Sequence, residues 1–267
     1  MGRIVVITGG TSGIGKACAE YFESKGETVL ILSRKNPENL KNFYECDVAV
    51  SATVKKVFDE IGKKYGHIDV LINNAGHGVS GATELISEAD AKNIFDVNFF
   101  GVLNCTNSAL PYMKKGGIII NMSSVLAYFP VPFKSFYNSS KAAVSMLTHS
   151  QAAELKPAGI NVVAVCPGDV KSNLSANRIK VFDTNERYGQ RVQNAAAVAF
   201  KPEEKRMDPI LVAKACYKLS VKKHPKPSVI VGFKYKLLYC FYKFMPIRWF
   251  LGLSAKMFGG RKEKRGA

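Results

Sequence analysis

The stretch "RIVVITGGTSGIG", residues 3–15, joins an apolar, β-branched run to a glycine-rich turn and the start of a helix. Residues 3–8 read as a strand, and their lack of polar alternation marks a strand covered on both faces. Glycines at 9, 13 and 15 let the backbone turn tightly and approach a ligand without Cβ clashes. The N–H groups at the helix start, reinforced by the helix dipole, make an anion site. Gly9, Thr11, Ser12, Gly13, Ile14 and Gly15 are therefore candidate contacts to a nucleotide phosphate. The spacing is GxxxGxG rather than GxGxxG, and an ordinary strand–helix connection is the plain alternative.

Working outward, the same alternation repeats. An amphipathic helix over 14–26 stops at Gly26, and "TVLILS" (28–33) is a second strand. A helix over 51–66 precedes a strand at 68–76, and a long helix over roughly 87–114 precedes a strand at 117–124. A helix begins near residue 137 and runs to about Pro157; strands at 160–168 and 228–232 flank a helix near 208–222. Alternating strands and helices build a parallel, doubly wound α/β sheet, here of about seven strands in a single domain covering residues 1–232. A ligand is expected at the carboxyl ends of the strands.

The second strand ends in "SRK" (33–35). A carboxylate there would hold the ribose hydroxyls of NAD; Ser33 and Arg34 stand in its place. A guanidinium binds a 2′-phosphate through paired hydrogen bonds, so NADPH/NADP is the expected cofactor. Arg34 as a plain solvated loop residue is the competing reading.

Tyr137 and Lys141, in "FYNSSKAAV" (136–144), lie one helical turn apart on one face. A phenol has an ordinary pKa of about 10, and a neighbouring ammonium brings it toward working pH. The chain resembles the short-chain dehydrogenase/reductase family across residues 3–232. The resemblance rests on "TGGTSGIG" (8–15), "NNAG" (73–76), Asn98 in "VNFFG", Ser124 in "NMSS", "YNSSK" (137–141) and "PGDVKS" (167–172). It implies that Tyr137 is the general acid in reduction and that Lys141 tunes it and meets the nicotinamide ribose. It further implies that Ser124 polarises the carbonyl and that Asn98 holds a water in a proton relay. For the cofactor it implies contacts from Asp47 and Val48 at the adenine, Asn74, Ala75 and Gly76 at the adenosine side, and Pro167, Gly168, Val170 and Ser172 at the nicotinamide. Ser172 stands where threonine is common in the family. The four histidines form no visible constellation, and surface or helix-packing roles are expected for them.

Residues 233–267 form a basic, aromatic-rich extension, read as two short helices, 235–244 and 247–258, broken at Pro246. The chain carries a net charge of +17, and residues 201–267 hold 17 Lys and Arg against 4 Asp and Glu. Basic residues interleaved with Phe, Leu and Trp suit an anionic membrane surface. A flap over the substrate and a subunit interface, in a dimer or tetramer, use the same apolar surface. Nucleic acid is disfavoured because the basic residues are mixed into an apolar stripe. No run is apolar enough to span a bilayer. The six cysteines show no CxxC pairing and read as reduced, buried thiols, and no metal site is visible. With no leader before residue 3, a cytoplasmic location is expected, peripheral at a membrane if the extension binds lipid.

Val79, Leu126, Phe129, Val131 and Phe133 in the loops near 77–84 and 125–136 suggest an apolar substrate pocket, completed by residues 173–207. The resulting expectation is an NADPH-dependent reductase of a hydrophobic ketone. Oxidation of a secondary alcohol is one alternative, and a cofactor-binding sensor that acts on a partner or membrane is another.

Overall fold

The computed structural model describes residues 2–171, 179–199 and 206–259. Strands β1 (Ile4–Thr8), β2 (Thr28–Ser33), β3 (Phe43–Glu45) and β4 (Ile68–Asn73) are joined through helices α1 (Gly13–Glu23) and α2 (Ser51–Tyr65). A two-residue strand β5 (Val79–Ser80) leads to α3 (Glu88–Phe95), α4 (Gly101–Ala109) and β6 (Met113–Met122). Then follow α5 (Ser135–Glu154), β7 (Asn161–Pro167), β8 (Ile179–Lys180), α6 (Arg191–Ala199), α7 (Pro209–Ser220), β9 (Ser228–Val231), α8 (Phe233–Phe244) and α9 (Ile247–Gly259). The main sheet is seven-stranded and parallel throughout, in the order β3-β2-β1-β4-β6-β7-β9. Short β5 pairs with β8 in a separate ribbon.

The expected architecture is therefore the observed one, and its order places the site. Strand order reverses between β1 and β4, so their carboxyl ends diverge and open a crevice. Both faces of the central strands are covered, which is why β1 is buried at every position. On one face, Val5, Ile7, Val29, Ile31, Val70 and Ile72 meet Cys18 and Phe22 of α1 and Val212 and Cys216 of α7. On the other, Val6, Leu30, Leu71 and Ile119 meet Phe58 and Ile61 of α2 and Cys105 of α4.

The single helix expected over 87–114 is in fact broken. A one-turn π-helix occupies Asp96–Phe100, and Pro111, which lacks an N–H, sits in a 3-10 turn ahead of β6. The π turn is where Asn98 turns into the interior at 0 % exposure. The cysteine reading also needs one correction: five thiols are buried, but Cys240 on α8 is exposed.

Phe58 is fully buried between α2 and the sheet. Phe58→Ala is expected to lower unfolding free energy by about 3–5 kcal/mol, read from urea denaturation at unchanged slope.

Candidate active site

The turn after β1 is fixed from the end of β4. Asn74 Nδ2 donates to the carbonyls of Thr8 (3.0 Å) and Gly9 (3.1 Å). Thr8 Oγ1 in return accepts the N–H groups of Asn74 and Ala75, each at 3.0 Å. The glycines are required by closeness: a Cβ on Gly15 would stand 2.2 Å from the Gly9 carbonyl, and one on Gly9, at φ +64°, would touch Ala75. Gly15 thus seats α1 against the turn, while Gly9, Thr11, Ser12, Gly13 and Ile14 line a cavity of about 1080 Å³.

That cavity brings together most of the expected contacts. Ser33, Arg34, Asp47, Val48, Asn74, Ala75, Gly76, Ser124, Tyr137, Lys141, Pro167, Gly168 and Val170 all line it. Ser33 Oγ meets Thr11 Oγ1 at 3.3 Å, and Asp47 Oδ1 caps the N–H of Ala49 at 3.0 Å. Ser172 lies outside the described residues. Asn98 stands behind the wall: its Oδ1 accepts the His77 N–H, and its Nδ2 donates to the His77 carbonyl and to Ser140 Oγ (3.1 Å).

Helix α5 supplies the reactive face. Tyr137, Ser140, Lys141, Val144, Ser145, Thr148 and Gln151 recur at three- and four-residue steps and all point inward. Lys141 Nζ donates to the Met122 carbonyl at 2.8 Å and lies 6.0 Å from the Tyr137 ring centre. Burial pulls the Lys141 ammonium down to about 8. Ser124 follows β6, and its Oγ accepts the Leu126 N–H at 3.1 Å, which leaves its own O–H to donate. A phenol, a hydroxyl and an ammonium therefore line one chamber at the crevice, the set that a carbonyl oxygen gaining negative charge requires.

Several residues here escaped the sequence reading. Ser140, between Tyr137 and Lys141, links Asn98 to the Tyr137 carbonyl. His77 was expected at the surface or in helix packing. Instead it lines the cavity, with Nε2 buried and unpartnered among the described residues. Burial, with the nearby Arg34 and Lys141 charges, pushes its pKa down. Lys35 adds a second cation beside Arg34. Of the loop residues expected in an apolar pocket, Leu126, Phe129 and Val131 line the cavity. Val79 is buried beside Tyr137 instead, and Phe133 lines a small separate recess and meets the Tyr188 ring edge-on. Leu238, Phe250, Leu253, Met257 and Phe258 of α8 and α9 also line the cavity.

A nicotinamide dinucleotide fits this cradle: the walls at 9, 13 and 76 carry no side chain, and the cavity runs unbroken from the glycine turn to Tyr137. The short chain dehydrogenase family model matches residues 3–181. The chain belongs to the short-chain dehydrogenase family and is an oxidoreductase acting on CH–OH or C=O groups. It is 35% identical over 236 residues to a 3-ketodihydrosphingosine reductase of Bacteroides thetaiotaomicron, covering 86% of this chain and 88% of that one. A short-chain dehydrogenase structure from Streptomyces avermitilis superposes with a TM-score of 0.82 at 26% identity, covering 96% of each chain. The structure of ElxO with NADP bound gives 0.73 at 28% identity, over 89% of this chain and 100% of that one.

Two outcomes follow from this geometry. Tyr137→Phe is expected to lower turnover by at least about a hundredfold while nucleotide binding, followed by fluorescence titration, stays within error of the parent. Reductive turnover is expected to fall as pH rises through about 8, rather than near the ordinary lysine value of 10.5. The sign follows from charge: above that pH Lys141 is neutral and no longer favours the ionised phenol. A pH profile of kcat/KM checks it.

Proposed function

We propose that this protein is an NADPH-dependent reductase of a long-chain, lipid-like ketone. The observation that carries the reading is the joining of two environments in one cavity. Arg34 and Lys35 line it together with the glycine turn, and Leu238, Phe250, Leu253, Met257 and Phe258 line it together with Ser124, Tyr137 and Lys141. The similarity to a reductase named for a keto-sphingoid base supports a substrate of this kind.

The glycine turn, Thr11 and Ser12 would hold the pyrophosphate, and Ser33 and Arg34 the phosphorylated ribose. Asp47 and Val48 would flank the adenine, and Asn74, Ala75 and Gly76 the adenosine side. Pro167, Gly168 and Val170 would border the nicotinamide, and the expectation for Ser172 stands on sequence alone. Bound NADPH supplies the hydride. Ser124 donates its O–H to the substrate carbonyl oxygen, and Tyr137 donates a second hydrogen bond and then its proton to that oxygen. The product is a secondary alcohol. Lys141, as an ammonium, favours the phenolate that Tyr137 leaves behind. Asn98, locked by His77 and Ser140, holds the loop after β4 in place and would hold a water in a proton relay to Lys141 that reprotonates Tyr137 from solvent. Hydrophobic ketones of this type reside in membranes, so the reading includes peripheral contact of residues 233–267 with an anionic membrane surface on the cytoplasmic side. The reading includes a homo-oligomer, a dimer or a tetramer.

The test is steady-state turnover with both nucleotides against paired substrates. Keto-sphingoid bases, acyl-dihydroxyacetone phosphate and keto-steroids form one set, and small water-soluble ketones and quinones the other. Turnover should favour the long-chain set and NADPH. Arg34→Glu is expected to reduce kcat/KM for NADPH roughly 10- to 100-fold without reducing that for NADH. Equal use of small ketones alone would overturn the lipid reading, and an unchanged nucleotide ratio in Arg34→Glu would overturn the role of Arg34.

A further inference from the structure

The two C-terminal helices are dressed the wrong way round for water. Inward, α8 sends Tyr235, Tyr239 and Tyr242, its amphipathic side chains. Tyr235 occupies the space that Gly168 leaves, where a Cβ would meet its ring at 2.0 Å. Tyr239 packs on Tyr128 at 4.7 Å, and Tyr242 on Phe129 at 5.3 Å. From α9, Phe250 stacks on Phe129 and Ser254 Oγ donates to the Pro130 carbonyl at 2.9 Å. Outward go the hydrocarbons: Phe233, Phe241 and Phe244 of α8 are 81%, 62% and 88% exposed, and Trp249 of α9 is 72% exposed.

At 3.6 residues per turn, Phe233, Leu237, Phe241 and Phe244 share one face of α8, bordered by Lys236 and Lys243 on one side and Lys234 on the other. Residues 233–259 contain five basic and no acidic side chains. An apolar stripe between cationic borders, ending near an exposed tryptophan, is complementary to an anionic bilayer: hydrocarbon below, phosphate at the rim. A second copy of this stripe would bring its lysines against like charges, which disfavours self-pairing.

The geometry points to a second property of the same hairpin. Leu238, on the flank between the stripe and the tyrosines, lines the catalytic cavity, as do Leu253 and Met257 of α9, which are themselves 45% and 55% exposed. The hairpin is a lateral port: seated in the headgroup layer of an anionic membrane, it passes a long-chain ketone from the bilayer into the cavity along these side chains. The inference rests on the proposed lipid-like substrate and membrane contact, and adds the route.

The test uses the full chain and Phe241→Asp/Phe244→Asp, which line no part of the cavity. Sedimentation with phosphatidylcholine vesicles, with and without phosphatidylserine, reads binding. Turnover of one long-chain ketone is read twice, carried in those vesicles and delivered by cyclodextrin. The wild type should bind the phosphatidylserine vesicles preferentially. The variant should bind roughly a hundredfold more weakly and lose vesicle-borne turnover in proportion, while cyclodextrin-delivered turnover stays at the wild-type value. Equal vesicle binding by both proteins would overturn the docking surface, and so would a wild-type dimer that ignores vesicles and that the variant splits. Equal vesicle-borne turnover despite lost binding would overturn the port. Absent wild-type turnover by either delivery, with vesicle binding intact, would overturn the substrate reading and the route while the docking surface stands.

Discussion

One side-chain amide ties the two halves of the sheet together where they part. Asn74 leaves the end of β4 and donates to the carbonyls of Thr8 and Gly9 at the end of β1, and Thr8 answers by accepting from the β4 side. At a strand-order reversal the backbone carbonyls and N–H groups of both termini lose their ladder partners, and buried groups of that kind must be satisfied. This clasp satisfies them and holds the glycine turn at a fixed height above the crevice. Everything chemical is then built outward from it. The Asn98 clasp on both main-chain groups of His77 repeats the device one turn further along the same loop.

Between β4, β6 and α5 the interior holds a chain of buried polar side chains linked by hydrogen bonds, although Asn73 Oδ1 and Gln151 Oε1 find no partner among the described residues. Asn73 Nδ2 donates to Thr106 and Asn121, Asn121 Nδ2 to Thr148, and Thr148 to the Val144 carbonyl. Ser123 Oγ donates to the Lys141 carbonyl or pairs with Ser145. Such a network fixes the rotation of α5 against β6 more narrowly than apolar packing would, because a slip leaves buried donors unpaired. The Lys141 ammonium depends on that rotation, since it donates to the Met122 carbonyl at the strand end.

Much of this was legible in the residues. Unalternating apolar strands and their intervening helices sufficed for the parallel sheet, and the glycine turn and the Tyr137–Lys141 spacing located both ends of the cavity. What stayed hidden has a common physical cause. The buried face of α5 is Tyr, Ser, Lys, Val, Ser, Thr and Gln, with Val144 its one aliphatic residue, so apolar periodicity does not reveal which side faces in, and Ser140 gives no signal. His77 gives no local signal because its place comes from main-chain bonds to Asn98, which is 21 residues away. The break at Asp96–Phe100 has no proline or glycine within it; the turn widens to serve Asn98, a tertiary demand. Val79 and Phe133 are apolar as read, but Val79 lies in strand β5 rather than a loop, and composition carries no information on which cavity a side chain enters.

The thiols divide unevenly. Cys18, Cys46, Cys105, Cys166 and Cys216 are buried; burial pushes the thiols of Cys46, Cys105 and Cys166 upward, and a hydrogen bond with Cys18, then burial, raises Cys216, away from the reactive thiolate. Cys240 alone is exposed, one position before Phe241 on α8. The native chain therefore carries a single addressable attachment point for a thiol-directed dye or spin label, set within the outward face of the hairpin. Surroundings sensed there report on the extension without any engineered residue in the fold.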